Sequence, residues 1–233
     1  MTIQSGIFGE ETMCTPNELL HKIPKLPEDG WTSIDFFQSE DGVVQLRPSY
    51  KPLPSVNCLW HENLVDYLGL KPIRKLSARV REVSYLNQRA IAKIARFPWE
   101  INQVSKETLA YCMIFDKQEE EGLEAIAPKF LGHLHENGRV MGMLLQKLEG
   151  RHAEPEDLAA CTEVVRKLHA MGIEHGDVNK HNFMIGKATR KACILDLEHA
   201  TNAKGQSTQR ECASIADELA EDTGRGAYRT PID

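Results

Sequence analysis

The chain has 233 residues and a net charge of −6, enough for one medium domain or two joined lobes with a proper core. No basic block offsets the acidic balance, which argues against a general nucleic-acid or anionic-membrane binder. No apolar run approaches the ~18 residues of a membrane span, and the opening MTIQSGIFGEETM lacks the basic-then-apolar pattern of a secretory signal.

Cysteines fall at 14, 58, 112, 161, 193 and 212 with no C-x-x-C pair. Free thiols in apolar segments behave as small hydrophobes, so a disulfide framework or zinc site is not expected. The expected compartment is reducing, hence cytosol or nucleus.

Residues 1–55 are punctuated by prolines and read as a partly ordered arm. Within it Thr15-Pro16 opens a short helix through Leu19, Leu20 and Ile23. Residues 34–37 and 43–46 read as short strands around Glu40-Asp41-Gly42. Residues 57–70 carry Leu59, Trp60, Leu64, Tyr67 and Leu68 at helical spacing, with Gly69 placed to end a helix and His61 and Glu62 on its surface.

From 73 to 97 the pattern turns strand-like, with one run through Val80, Val83 and Tyr85, a turn at Asn87-Gln88, and a second run to Phe97. The second run sets Lys93 among apolar residues, and a buried ammonium needs an anionic partner. Residues 101–114 form an amphipathic helix whose apolar positions include Ile101, Val104, Leu109 and Met113. Residues 117–124 read as a solvated acidic stretch. Runs at 128–134 and 140–145 flank Glu136-Asn137-Gly138, a strong hairpin signal. His133 and His135 lack a third ligand and read as structural or surface residues. Residues 154–171 form a helix with acids and Pro155 in its first turn, an apolar face of Leu158, Cys161, Val164, Val165 and Leu168, and an end at Met171-Gly172.

The stretch IEHGDVNKHNFMIGKATRKACILDLEHA, residues 173–200, carries the chemistry. His175, Gly176 and Asp177 are followed by Asn182 and an apolar strand. After a polar hairpin, a second apolar strand delivers Asp196 and Glu198. Carboxylate and amide oxygens on adjacent loops suit Mg²⁺, which takes one or two carboxylates plus substrate phosphates. A further acid can orient an incoming hydroxyl.

HGDVNKHN resembles the catalytic loop of the protein-kinase-like superfamily, and ILDLE resembles its metal-binding segment; the familiar forms are H-R-D-x-x-x-x-N and D-F-G. The H-G-D and D-L-E forms look more like aminoglycoside phosphotransferases, choline-kinase-like enzymes and minimal atypical kinases. Residues 80–200 also resemble small fungal kinase-like proteins of unassigned function. The resemblance implies an α+β, two-lobed protein-kinase-like fold. An antiparallel-sheet N-lobe would span 56–148 and a shortened helical C-lobe 149–233, after the arm 1–55. It implies ATP and Mg²⁺ as cofactors and an unknown hydroxyl acceptor, small molecule or protein. Ala-Ile-Ala-Lys resembles the V-A-I-K strand, so Lys93 would bind phosphates. Glu107 matches the helix glutamate that pairs with it, with Glu100 the alternative. Gln146 to Gly150 would form the hinge, Gln146 and Leu148 lying against adenine. Asp177 would accept or orient the acceptor proton, Asn182 and Asp196 would hold Mg²⁺ with Glu198, and His175 would brace the loop.

The sequence departs from the family in three places. Residues 71–90 contain no glycine, so no G-x-G-x-x-G precedes the lysine strand. Gly176 replaces the arginine that senses a phosphorylated activation loop, and Glu198 replaces the D-F-G glycine. Little follows Glu198: a polar stretch 201–210, one helix over 212–219 and a loose tail GRGAYRTPID, with no A-P-E segment. Two functions fit: an ATP- and Mg-dependent phosphotransferase, or a pseudokinase acting as a nucleotide-binding or protein-interaction module.

Overall fold

A computed structural model describes residues 2–224. The expected loose tail lies, from 225 on, outside the described residues. The chain divides between Leu53 and Pro54 into two compact units.

In the first unit, β1 (Thr2–Ile3) and β3 (Val44–Ser49) flank β2 (Ser33–Gln38), pairing parallel and antiparallel respectively. Helices α1 (Glu10–Cys14) and α2 (Pro16–Lys22) precede β2, and Pro16 opens the second as expected.

The second unit is mixed α+β. Its main sheet takes β4 (Leu64–Asp66), β5 (Lys71–Lys75), β6 (Val80–Tyr85) and β7 (Gln88–Ile94) from before the long helix α3 (Ile101–Glu121). It takes β8 (Phe130–Glu136) and β9 (Arg139–Gln146) from after it. The spatial order is β4-β8-β9-β7-β6-β5, antiparallel except for β4 beside β8. Strand β7 is therefore interior, and Lys93 lies on it. Both tight hairpins carry two left-handed residues, Leu86-Asn87 and Asn137-Gly138, the type I′ geometry that matches strand twist. The first turn thus sits one residue before its expected place.

A second sheet joins β10 (Gly150–His152), β12 (Phe183–Gly186) and β13 (Ala192–Ile194), and a two-stranded pair joins β11 (Ile173–Glu174) to β14 (Thr201–Asn202). Helix α4 (Leu158–Ala170) buries Cys161, Val164, Val165 and Leu168, while Leu158 stays exposed. Helix α5 (Gly205–Ala220) is twice the length expected after residue 200. The core runs through Leu134, Met143, Leu144, Leu168, Phe183, Ile194, Leu197 and Ile215. No helix among the described residues is long and apolar enough to cross a membrane.

The helix expected over 57–70 does not form. Leu59, Leu64 and Leu68 are exposed, so their helical spacing marks no buried face. Asn63 decides the outcome instead. Its Nδ2 donates to the Leu131 carbonyl at 2.6 Å and to the Tyr85 hydroxyl at 2.8 Å, and its carbonyl accepts from the His133 N–H. Those bonds hold the segment extended along β8, the competition that asparagine offers to a helix. Trp60 then lies against Phe130 and Phe115, ring centroids 4.7 and 5.1 Å away. Helix α3 also exceeds its expected end: residues 117–121, read as a solvated stretch, are its last turns, and Gly122 caps it at φ 62°. Its buried stripe is Ile101, Val104, Glu107, Thr108, Ala110, Tyr111 and Ile114, leaving Leu109 exposed.

His133 is fully buried, its Nε2 accepting the His61 N–H. The ring proton therefore sits on Nδ1, and a charged ring would press a second N–H against that donor. Burial, then the neighbouring His61, pushes its pKa down to about 4. The unfolded chain takes up this proton below the ordinary histidine value near 6.5 while the fold does not. Stability should then fall as pH drops from about 6.5 and level off, for this group, near about 4. Urea titrations across that range should show a slope of one proton, which His133→Phe abolishes. The variant should also be about 1–3 kcal/mol less stable at neutral pH, because the His61 donor is left unpaired.

Candidate active site

Lys93 is 5% exposed on the interior strand β7. Three carboxylates meet its ammonium: Glu107 Oε2 at 2.6 Å, Asp196 Oδ1 at 2.5 Å and Glu198 Oε2 at 3.4 Å. Burial alone would lower the lysine pKa, but Glu107, Asp196 and Glu198 raise it above its usual value, so the group stays charged. Burial would raise the Asp196 carboxyl, yet Lys93 outweighs it, with His175 and Arg79 helping, and the pKa is lowered. Glu107 reaches Lys93 from the buried stripe of α3, and its Oε1 accepts the Leu197 N–H at 3.3 Å. Glu100, the alternative partner, is occupied elsewhere: its Oε2 accepts the Arg96 and Phe97 N–H groups at the start of the helical segment. Asp196 holds a left-handed backbone, φ 57°, uncommon for a non-glycine residue and more accessible to aspartate than to most.

The loop before β12 carries the other polar residues. His175 is fully buried; its Nδ1 accepts the Asp177 N–H at 3.2 Å and its Nε2 lies 2.9 Å from the Leu195 carbonyl. That imidazole ties the loop to the residue preceding Asp196. Asn182 Nδ2 donates to the Asp177 carbonyl at 2.8 Å and to Asp177 Oδ2 at 3.1 Å, while Asn179 Nδ2 reaches the same oxygen. The Asn182 carbonyl accepts the Leu195 N–H, and the Phe183↔Ile194 pairing of β12 with β13 keeps the two loops abreast.

The expected metal set is therefore brought together in part. The carboxylate oxygens of Glu107, Asp196 and Glu198 lie within 4.8 Å of one another. Glu198, however, is bridged to Arg79 as well as Lys93, and the Asn182 amide nitrogen is turned to Asp177. Asn182 Oδ1, Asp177 Oδ1 and Asp196 Oδ2 take no hydrogen bond from a described residue.

A cleft of about 240 Å³ opens beside Lys93 and Asp196, walled by Val80, Ile91, Leu145, Leu148, Met184 and Leu195. Gln146 and Leu148 both line it, as expected. Gln146 is engaged with Lys129 through its N–H and its Oε1. The main-chain N–H and carbonyl of Leu148 have no hydrogen-bond partner among the described residues.

Two contributors escaped the sequence reading. Glu211, 8% exposed on α5, accepts the His175 N–H at 3.1 Å and the Gly176 N–H at 2.6 Å, and lies 2.6 Å from His169 Nε2. A signal existed: Glu211 falls on one helical stripe with Ile215 and Leu219, so an acid was to be buried there. The second is Arg79, in the β5–β6 turn, whose guanidinium pairs with Glu198 and with Gln103 Oε1 at 3.0 Å. No local pattern marked it. The glycine of H-G-D also has a steric reason: Gly176 has φ 82°, and a Cβ there would stand 2.5 Å from the His199 carbonyl.

Glu211→Ala should lower stability by about 3 kcal/mol in urea titration, since it strips a charged acceptor from the buried His175 N–H and the part-buried Gly176 N–H. Glu211→Gln, which keeps an acceptor oxygen, should cost about 1 kcal/mol. Hydrogen exchange at the His175 and Gly176 amides should accelerate in the alanine variant beyond the global change.

Residues 143–212 match the lipopolysaccharide kinase (Kdo/WaaP) family, less than a third of the chain. The matched segment contains HGDVNKHN, ILDLE and Glu211. No curated protein matches the chain. The match agrees with the resemblance at the level of a protein-kinase-like family, and with it the chain reads as a kinase-like phosphotransferase.

Proposed function

We propose that the protein is an ATP- and Mg²⁺-dependent phosphotransferase of the atypical or small-molecule type, built on a two-lobed kinase-like fold. Its N-lobe is 56–148 and its C-lobe 149–233, with residues 1–55 as an added arm. The observation that carries the reading is the convergence of Lys93, Glu107 and Asp196, from a strand, a helix and a loop far apart in sequence, at one end of an apolar cleft.

The residues present fit a magnesium nucleotide. Asp196 Oδ2 and Asn182 Oδ1 are hard oxygen donors with no hydrogen-bond partner among the described residues, the ligand type Mg²⁺ takes. The aliphatic walls and the Leu148 main chain, unpaired among the described residues, suit a flat heteroaromatic ring. When bound, the nucleotide supplies the γ-phosphoryl group and the metal offsets its charge.

Each side chain then has a task. Lys93, positioned by Glu107, turns its ammonium to the phosphates. Asp196 and Asn182 hold the metal, with Glu198 near enough to join them. Asp177, its Oδ2 fixed by Asn179 and Asn182, presents Oδ1 to an acceptor hydroxyl and takes or orients its proton. His175 braces this loop against Leu195. Such catalysis is positioning and electrostatics. The acceptor is a hydroxyl on a small molecule or a protein. Six free cysteines accord with a reducing compartment, cytosol or nucleus.

One observation favours the second reading, a pseudokinase serving as an interaction module: Lys93 is already matched by carboxylates, so phosphates must displace an existing ion pair.

Calorimetry of Mg-ATP binding separates the two. The phosphotransferase should show metal-dependent binding that Asp196→Ala weakens at least about tenfold, with loss of most turnover. Lys93→Ala should also weaken it, but it strands Glu107, a change that costs about 3–5 kcal/mol for a buried pair, so its unfolding curve must be measured alongside. Near-normal turnover in Asp196→Ala sinks the assignment, and absence of binding at millimolar nucleotide favours the interaction module.

A further inference from the structure

In the turn between β5 and β6, four backbone N–H groups are already spent. Those of Leu76 and Ser77 both donate to the Val80 carbonyl at 3.0 Å. Those of Arg79 and Val80 donate to Ser77 Oγ at 3.3 and 3.1 Å. Among the described residues only the Ala78 N–H of this turn remains. A phosphate cradle of successive backbone amides, the usual work of a glycine-rich loop, cannot be formed by the turn in this state.

The same turn carries one cation inward. Arg79 bridges Glu198, with the two side chains 17% and 14% exposed, and Gln103 Oε1 steadies it from α3. Gln103 and Glu107 stand one helical turn apart, so a single face of α3 fixes both Arg79 and Lys93. Glu198 lies between the two cations and touches each. A planar guanidinium offers a donor fork that matches phosphate oxygens.

We propose that Arg79 is the phosphate clamp of this protein, doing with a side chain what a glycine-rich loop does with its backbone, and that Glu198 is its resting partner. The proposal rests on the nucleotide reading of the cleft. At rest Arg79 and Lys93 are held by Glu198. When a nucleotide's phosphates enter, Arg79 moves from the carboxylate to them, and Glu198 is released toward the metal. Glu198 therefore acts against binding in the absence of metal.

The test is calorimetry with ATP, ADP and adenosine on the full chain, with EDTA and with Mg²⁺. Arg79→Ala should weaken ATP and ADP by about ten- to a hundredfold, the worth of a charge-assisted contact, while adenosine stays within about twofold of wild type. Glu198→Gln should tighten ATP binding in EDTA several-fold, and the gain should vanish in the Arg79→Ala/Glu198→Gln double variant. Unchanged ATP affinity in Arg79→Ala overturns the clamp and leaves the nucleotide site standing. A gain in Glu198→Gln that survives in the double variant also overturns it, since the effect is then mere removal of charge. Failure of the wild type to bind ATP or adenosine overturns the nucleotide reading and the clamp together. Should Arg79→Ala not fold, the EDTA result with Glu198→Gln decides: no tightening rejects the resting role.

Discussion

Placing one ammonium on an interior strand obliges the chain to bring carboxylates to it, because a buried charge without partners is far too costly to keep. Here the obligation falls on elements distant in sequence. Glu107 must come from α3, Asp196 and Glu198 from the segment after β13, and the acid that is buried outright needs a second contact as well. Glu107 meets this by accepting the Leu197 N–H with its other oxygen. The charge at Lys93 thus fixes how α3 lies on the sheet and how the 196–198 turn lies against both. Three acids around one lysine leave excess negative charge, and Arg79 offsets it through Glu198.

The loop at 175–182 is held by a different principle. Its first two backbone donors, the His175 and Gly176 N–H groups, go to a single carboxylate, Glu211, and its imidazole spans to Leu195. Neither contact is catalytic. Both limit the freedom of Asp177 relative to Asp196, and the phosphoryl transfer proposed above would need precision in that separation. Helix α5 matters for this reason, although it contributes no group to the cleft.

Much of the fold could be read along the chain. The Asn137-Gly138 hairpin, the face of α4 and the two apolar strands around the 186–191 hairpin are local signals, set by backbone preference and periodicity. The choice of Glu107 over Glu100 was legible only through resemblance. Periodicity failed at 57–70, where leucines at helical spacing face solvent and Asn63 finds partners on β6 and β8. It failed at 117–121 as well, where charged residues simply extend a helix whose packing is settled earlier. Of the candidate metal ligands, the sequence placed Asp196 and Glu198 on one turn, but could not say that Glu198 is claimed by two cations.

By itself the sequence determined the hairpin strands β2–β3, β6–β7, β8–β9 and β12–β13 and the identity of the polar motifs, because these depend on contacts between residues near one another along the chain. It also determined that a buried lysine would need an acid. Which acids answer it, which carboxylate anchors the 175–182 loop, and which cation pairs with Glu198 beside Lys93 were decided only by the tertiary structure. Those are contacts across 14 to 119 residues, and nothing local to Glu211 or Arg79 names the partner that folding brings to it.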